Sequence, residues 1–313
     1  MSSAAEQAYT LQGIVENFRD DGRGRLDFRH MTLEVGLFPQ AGGSARLQLG
    51  ATDVMAAVTV ELAAPEMEHM DEGRIRISVS CGPGAVASAL PDYAASGSSS
   101  EDRILWLEAA LEPLYSHVNI PEALRALCFL PGEQCWQLRV HAQLLRCDGC
   151  PLDAIAIAIA AALRNTRVPK MTAVDDDGDG PAPKKAKEGG GQHALDLDES
   201  LDDSLPFDCS RLPLYVTLSS LGSHAVADCT AGERAAAGSS LSLALDPTGR
   251  VCAIRAGGGF GLHLQIAGGM MQSAANLCAQ LHLAAAEAFS GALRELDARK
   301  WPNGDGTALG LLA

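Results

Sequence analysis

Residues 133–166, EQCWQLRVHAQLLRCDGCPLDAIAIAIAAALRNT, decide the fold because their hydrophobic period changes halfway along. The first part alternates apolar and polar side chains, which predicts a half-buried strand with one face made of Trp136, Leu138, Val140, Ala142 and Leu144. The sequence CDGCP at 147–151 then supplies turn residues. Residues 154–163 are apolar nearly all round. Their alternating isoleucines would also suit a strand, but the alanine content and the length favour a buried helix that Asp153 can cap.

The composition excludes several classes of protein. The chain has 313 residues and a net charge of −15, and only 4% of its residues are aromatic. An acidic chain does not grip phosphate backbones over its whole surface, and few aromatic residues argue against base-stacking platforms. Nine scattered cysteines predict no disulfide framework. No leading signal sequence and no apolar run of membrane length are found, so we expect a reduced, soluble, intracellular protein without a membrane partner.

The chain divides into four segments. Residues 1–30 are predicted to be an N-terminal tail followed by an arginine-rich stretch. Residues 31–173, the first half, and residues 209–313, the second half, each read as strands followed by a helix. Residues 174–208 hold 11 acidic and three basic residues without an apolar period, which predicts a disordered linker or extended loop. The fold class is therefore α+β, with two similar β-sheet-plus-helix halves.

Several local signals place elements within the halves. Two alternating runs at 44–62 predict a hairpin, and residues 74–80 predict a third strand. Ser99 and Asp102 form a capping-box pattern that predicts the start of an amphipathic helix. In the second half, alternating leucines and a turn at 246–249 predict antiparallel strands, and residues 266–296 predict a long helix.

No catalytic or metal constellation is found from the residues alone. Cys147-x-x-Cys150 has the spacing of a redox pair, but the strands before it are expected to form a hairpin rather than a βαβ unit. No second cysteine pair completes a zinc site. The glycine run at 257–261 lacks dinucleotide-binding spacing. We therefore predict no cofactor and no metal.

The best local basic cluster is the arginine-rich segment near the N-terminus. Its candidates for RNA contact are Arg19, Arg23, Arg25 and Arg29. Aspartates alternate with these arginines, so internal ion pairing or an interface role is favoured over a nucleic-acid-binding arm.

Five motifs, in order along the chain, resemble the RNase PH family. They are DDGR at 20–23, GSARLQLGATDV at 43–54, LRCDGCPLDA at 145–154, LPLYVT at 212–217 and DCT at 228–230. Together they span nearly the whole chain, which makes the resemblance specific. The pattern is similar to the non-catalytic member of the archaeal exosome pair and its eukaryotic descendants, which carry Leu-Asp-Ala where the catalytic partner carries an arginine.

The resemblance implies a ring subunit. Such proteins assemble as alternating heterodimers into a six-member ring with cap subunits, and RNA passes through the central channel to an associated nuclease. The implied roles are RNA processing, including rRNA processing, and RNA degradation, in the nucleus, including the nucleolus, and in the cytoplasm. The loop at 64–73 would approach the ring opening. It carries four acids and His69, so we expect little direct grip on RNA.

Departures from the active pattern indicate a catalytically silent subunit. Asp148 and Asp228 remain at positions of the former active site, but Leu152 stands where the phosphate-binding arginine is expected and Asp153 adds a negative charge beside it. The second acid of the later pair falls on Arg234. Residues 82–100 contain no lysine or arginine. An anionic pocket without cations would repel phosphate.

Two rival functions stay open from the sequence. The first is an active phosphate-dependent 3′–5′ exoribonuclease, acting alone or through a composite site. The second, less favoured, is a redox or metal protein that uses Cys147 and Cys150.

Overall fold

The computed structural model describes residues 4–82, 84–85, 99–173, 195–197, 204–259, 261–262 and 264–300. Most of the predicted linker at 174–208, and most of the glycine- and serine-rich stretch before Ser99, lie outside these residues. The elements of the N-terminal segment and first half are α1 (Ala4–Val15), β1 (Met31–Val35), β2 (Gly43–Leu49), β3 (Thr52–Ala63), β4 (Arg74–Cys81), α2 (Ser100–Leu111), α3 (Pro121–Arg125), β5 (Cys128–Leu130), β6 (Gln134–Arg146), α4 (Pro151–Arg164), β7 (Arg167–Val168) and β8 (Met171–Ala173).

The first sheet has the strand order β1-β2-β3-β6-β4, and β5 pairs with β6. The alternation that predicted β6 is confirmed, because its apolar face is buried. The Ser99–Asp102 capping box is present at the start of α2. One expectation was wrong: β4 pairs with β6 in parallel, so β4, α2 and β6 form a crossover rather than part of a hairpin.

Two very short strands precede the second half, and its main sheet follows them. The elements are β9 (Leu195–Leu197), β10 (Leu205–Pro206), β11 (Leu214–Leu221), β12 (His224–Ala227), α5 (Ala231–Ala236), β13 (Ser239–Leu245), β14 (Val251–Gly257) and α6 (Leu264–Lys300). The main sheet has the order β12-β11-β13-β14 and is antiparallel throughout, as the alternating leucines predicted. Strands β9 and β10 fall within the predicted linker and pair with β8 and β7.

Helix α4 joins the two halves into one core. It packs against β2, β3 and β6 on the first-half side and against β11 on the other. Residues 151–164 form an α-helix, so the helical alternative for this stretch is confirmed. Residues 151–163 are all buried. Helix α6 packs against β1, β11 and β13. This arrangement presses the turn before α4 onto the second half.

The N-terminal segment contains a helix that the sequence did not predict. Helix α1 buries Ile14 in a small separate cluster with Cys150, Leu221, Val226 and Cys229. The prediction of a simple tail was therefore wrong for residues 4–15. Within the described parts of the chain, no helix has the length and apolarity needed to span a bilayer.

Candidate functional site

The site positions that the sequence singled out meet where the two halves touch. At its centre, Arg29 binds Asp228 with two side-chain hydrogen bonds, Nε to Oδ2 at 2.9 Å and Nη2 to Oδ1 at 2.6 Å. The backbone N–H of Arg29 also donates to Oδ2, at 2.8 Å. The Asp228 side chain is 0% exposed. Burial lowers the pKa of Arg29, but the hydrogen bonds and charge of Asp228 outweigh burial and raise it above its ordinary value.

Arg19 is held in the same way by a residue that the sequence reasoning missed. Its Nε and Nη2 donate to the two carboxylate oxygens of Glu233 at 2.7 and 2.6 Å. Its remaining bonds go to the carbonyl oxygens of Ala227, Asp228 and Asp27 at 3.0, 2.9 and 3.4 Å. The Arg19 side chain is 0% exposed. Arg19 therefore fixes the N-terminal segment to the second half and presents no surface to a ligand.

The other two candidate arginines lie at the edge of this cluster. Arg23 donates from Nε to Asp21 at 2.6 Å and from Nη1 to Asp228 at 3.2 Å. Its Nη2 has no hydrogen-bond partner among the described residues. Arg25 donates from Nε to Asn17 at 3.0 Å, and its Nη1 lies 2.6 Å from Nδ1 of His224. The ion pairing expected from the alternating aspartates is present at Arg23.

The turn before α4 completes the cluster. Asp148 accepts the backbone N–H of Ala231 at 3.0 Å, and its carboxylate lies 3.3 Å from Nη1 of Arg29. Gly149 has φ +117°, and a Cβ at this position would lie 1.8 Å from the carbonyl oxygen of Cys229. Only glycine fits this close approach. Arg234 donates to the carbonyl oxygen of Gly149 from the opposite side. Asp148, Asp228 and Arg234 are thus brought together.

Leu152 and Asp153 face the core instead of a pocket. Leu152 is 4% exposed and Asp153 is 0% exposed. Asp153 accepts the N–H of Thr217 at 2.8 Å and lies 2.6 Å from its hydroxyl, which lies 2.8 Å from that of Ser242. Burial raises the pKa of Asp153 to about 7. Asp153 therefore joins α4 to β11 and does not add charge to an open site.

These contacts correct the electrostatic expectation drawn from the sequence. The expected pocket had acids but no cations, whereas Asp228 and Glu233 are each compensated by a buried arginine from the N-terminal segment. Such pairing leaves no uncompensated anion to repel phosphate. It also leaves the carboxylates of Asp228 and Glu233 without free faces for a reacting group.

The cysteine pair next to the site is buried. Burial raises the pKa of Cys147 to about 11 and the pKa of Cys150 well above its ordinary value. Both thiols are therefore protonated at neutral pH and poorly nucleophilic. Among the described residues, no group of three or more histidine, cysteine or acidic side chains is placed to hold a metal ion.

The loop at 64–73 carries less free charge than its sequence suggests. Glu66 lies 3.1 Å from Arg76, and Asp71 and Glu72 each lie 3.6 Å from Arg125. Met67 is 91% exposed at the loop tip. The loop thus presents a mixed apolar and ion-paired surface rather than a bare acidic one.

Sequence reasoning missed two partners in this region, Glu233 and Thr217. Thr230 and Glu233 form a capping box at the start of α5, which is the same four-residue pattern that predicted α2. That pattern could have revealed the helix. It carries no information about the pairing with Arg19, which lies 214 residues away.

A sequence model of a known family matches part of the chain. The 3′ exoribonuclease family, domain 1, also named RNase PH, matches residues 27–169. The chain is 28% identical over 306 residues to an RRP42 protein of Dictyostelium discoideum, whose name describes it, provisionally, as an exosome complex exonuclease; the match covers 83% of this chain and 89% of that protein. It is 26% identical over 247 residues to the exosome complex component Rrp42 of Methanosarcina mazei, covering 79% and 80%.

A solved structure is also similar. A chain of the Archaeoglobus fulgidus exosome, determined with RNA bound to its active site, superposes with a TM-score of 0.67 and 26% identity. The superposition covers 89% of this chain and 96% of the archaeal one. The similarity therefore includes both halves and not only the region matched by the family model.

Proposed function

Because this chain belongs to the RNase PH-like family of exosome subunits, we propose that it is a catalytically silent member of the ring. It supports 3′-to-5′ RNA processing and decay by helping to thread RNA to a nuclease. Its own contribution is architectural: two β-sheet-plus-helix halves that share one core and offer surfaces to neighbouring subunits.

The main support for the proposal is the burial of Asp228 and its pairing with Arg29. This carboxylate is 0% exposed, and Arg29 occupies both of its oxygens. A catalytic carboxylate must reach the reacting groups or a metal within hydrogen-bond distance, and Asp228 has no free face for either. Leu152, at the position expected for a phosphate-binding arginine, is buried and apolar. Phosphorolysis needs a cation there because the attacking phosphate and the RNA are both anionic.

The partners follow from the family. The chain assembles with other RNase PH-like subunits into a six-member ring, together with cap subunits and an associated nuclease, and RNA passes through the central channel. We place this complex in the nucleus, including the nucleolus, and in the cytoplasm. The four N-terminal arginines stabilise the fold and do not form the main RNA contact, because Arg19 and Arg29 are buried and already paired.

The test is a phosphorolysis assay on the purified chain with single-stranded RNA and inorganic phosphate. We expect no nucleoside diphosphates, while an active RNase PH-like enzyme at the same concentration releases them. Release by this chain, lost in an Asp228→Asn variant that circular dichroism shows to be folded, would overturn the proposal. Release that persists in Asp228→Asn would identify a contaminating nuclease, and the preparation would then be purified further and assayed again.

The rival reading is an active exoribonuclease, favoured by the word exonuclease in the name of the Dictyostelium relative. A composite site shared with a neighbour is included in this rival. The same assay on the assembled ring distinguishes it: activity that requires Asp228 of this chain would support the rival, and activity that is indifferent to Asp228→Asn supports a silent subunit. A redox role is opposed by the buried, protonated state of Cys147 and Cys150.

A further inference from the structure

An apolar groove runs along one side of α6, and none of its lining residues belongs to the cluster around Asp228. Its volume is about 590 Å³, which is within the range of sites that bind small molecules or peptide side chains. Its walls include Phe207, Pro247, Leu283 and Phe289. Leu283, on α6, is 69% exposed.

His282 offers an unpaired hydrogen-bond acceptor at this groove. The residue is 8% exposed and lines the groove, and its Nε2 lies 3.0 Å from the carbonyl oxygen of Leu245. A carbonyl oxygen only accepts, so Nε2 carries the hydrogen and Nδ1 has a lone pair. Burial lowers the pKa of His282, which keeps the ring neutral. Nδ1 has no partner among the described residues. A buried acceptor left unpaired is costly, so a donor supplied by a ligand would be favoured.

Arg164 supplies a cation on the same groove. Its guanidinium carbon lies 5.9 Å from the centre of the Phe289 ring, which holds it beside the apolar wall. It forms no ion pair with any carboxylate of the described residues, unlike the arginines of the Asp228 cluster. The groove therefore combines an apolar wall, an acceptor that lacks a donor and a cation that lacks an anion.

We propose that this groove docks a short peptide of a partner protein in which a bulky aliphatic residue adjoins an acidic residue. The aliphatic side chain packs against Leu283 and Phe289, a backbone N–H of the peptide donates to Nδ1 of His282, and the carboxylate pairs with Arg164. The peptide is expected to be acidic because a basic peptide would place a second positive charge beside Arg164. The site goes beyond the ring role, since it gives this subunit a place to hold a protein away from the RNA path.

The experiment measures binding of a fluorescein-labelled peptide, acetyl-Gly-Ser-Leu-Asp-Asp-Leu-Gly, to the full chain by fluorescence anisotropy. A matched peptide with lysines in place of the aspartates is the ligand control. We expect saturable binding of the acidic peptide and at least about tenfold weaker binding of the basic one, which corresponds to about 1.4 kcal/mol.

Variants at exposed or half-buried positions keep the test independent of folding. We expect Arg164→Gln to weaken binding about tenfold and Leu283→Glu to abolish it. Leu264→Glu, on the same helix but outside the groove and 85% exposed, should leave binding unchanged. Circular dichroism verifies that each variant is folded.

Three outcomes would overturn the proposal. The first is equal binding of the acidic and basic peptides, and the second is unchanged affinity in Arg164→Gln. The third is a chain that binds no peptide and sediments as a dimer until Leu283→Glu makes it monomeric, because the groove would then be the contact between two copies.

Discussion

Asp228 and Asp153 are both 0% exposed and lie where the two halves meet, yet they are held by different chemistry. Asp228 is bound by the guanidinium groups of Arg29 and Arg23. Asp153 is bound by the amide and hydroxyl of Thr217, which are neutral, and its pKa is raised to about 7 by burial. Burial alone therefore does not decide the charge of a carboxylate. The partner decides it, and the two sites should respond differently to substitution and to pH.

The largest effect is expected from Asp228→Asn. The substitution keeps the shape of the side chain but leaves the buried Arg29 charge with only the more distant, partly exposed carboxylate of Asp148. Breaking a buried pair in this way costs about 3–5 kcal/mol. Urea unfolding at neutral pH measures the loss. The double variant Asp228→Asn, Arg29→Gln removes both charges and should recover part of the loss. A loss below about 1 kcal/mol would mean that this pair does not hold the N-terminal segment in place.

The next effect is a pH dependence that Asp153 introduces. In the unfolded chain this carboxyl has its ordinary pKa of 3.8, whereas in the folded chain the pKa is about 7. Folding therefore takes up a proton between these values, so the free energy of unfolding contributed by Asp153 is fully present below about pH 4 and is lost as the pH rises to about 7. The full interval corresponds to about 4 kcal/mol.

Asp153→Asn tests this dependence with little change of shape. We expect the variant to match the wild-type chain near about pH 4 and to exceed its stability at about pH 8, by as much as about 4 kcal/mol. Urea unfolding across this pH range gives the difference. The contribution of His282 has the opposite sign, because its pKa is lowered, but it is present in both proteins and cancels. A difference that is constant with pH would show that Asp153 is ionised in the fold.

The parts of the fold that the sequence predicted are those with local signals. The burial of strand β6 is visible as a period of two, and that of helix α4 as an alanine-rich apolar run. The capping box of α2 lies within four residues of sequence. Helix α1 was missed because, among residues 5–15, Ile14 is the one fully buried apolar residue, which leaves almost no periodic pattern. The parallel pairing of β4 with β6 was missed because the choice of neighbour depends on the crossover and not on the strand itself.

The candidate site was predicted by position but not by its contacts. Resemblance placed Asp148, Asp228 and Arg234 in one site, and the structure brings them together. The pairing of Arg29 with Asp228 joins residues 199 positions apart, and no local pattern reports such a contact. The aspartates between the arginines suggested ion pairing, whereas Arg19 and Arg29 are bound by Glu233 and Asp228 of the second half.

A smaller loss of stability is expected from Asp148→Asn, because the Asp148 side chain is only partly buried. The Asp148 side chain is 35% exposed, and its distance to Arg29 is 3.3 Å, longer than the bonds from Arg29 to Asp228. Its bond to the N–H of Ala231 survives in the amide. We expect a loss of about 1 kcal/mol in urea unfolding, since a partly solvated charge is screened. A loss as large as that of Asp228→Asn would place the anchor of the N-terminal segment at Asp148 instead.

The smallest change in the free energy of unfolding is expected from Glu112→Gln, which serves as a reference for the other substitutions. Glu112 pairs with Arg76 at 3.1 Å on the surface, and the side chains are 59% and 50% exposed. Glu112→Gln should change the free energy of unfolding by no more than about 0.5 kcal/mol. A larger change would indicate that charge removal anywhere on this acidic chain alters its stability, and the losses at Asp228 and Asp148 would have to be corrected for it.

The bond between Arg29 and Asp228 sets an order of events during protein synthesis. A ribosome that adds about 5–20 residues per second needs roughly 10–40 s to travel from one of these residues to the other. Until Asp228 has been made, the arginine-rich segment has no carboxylate to bind at its final position. Ribosome-bound chains arrested before residue 228 should therefore be cleaved by trypsin after Arg19 and Arg29, and completed chains should resist. Arg29 therefore reaches its final contact only after the chain has been extended as far as Asp228.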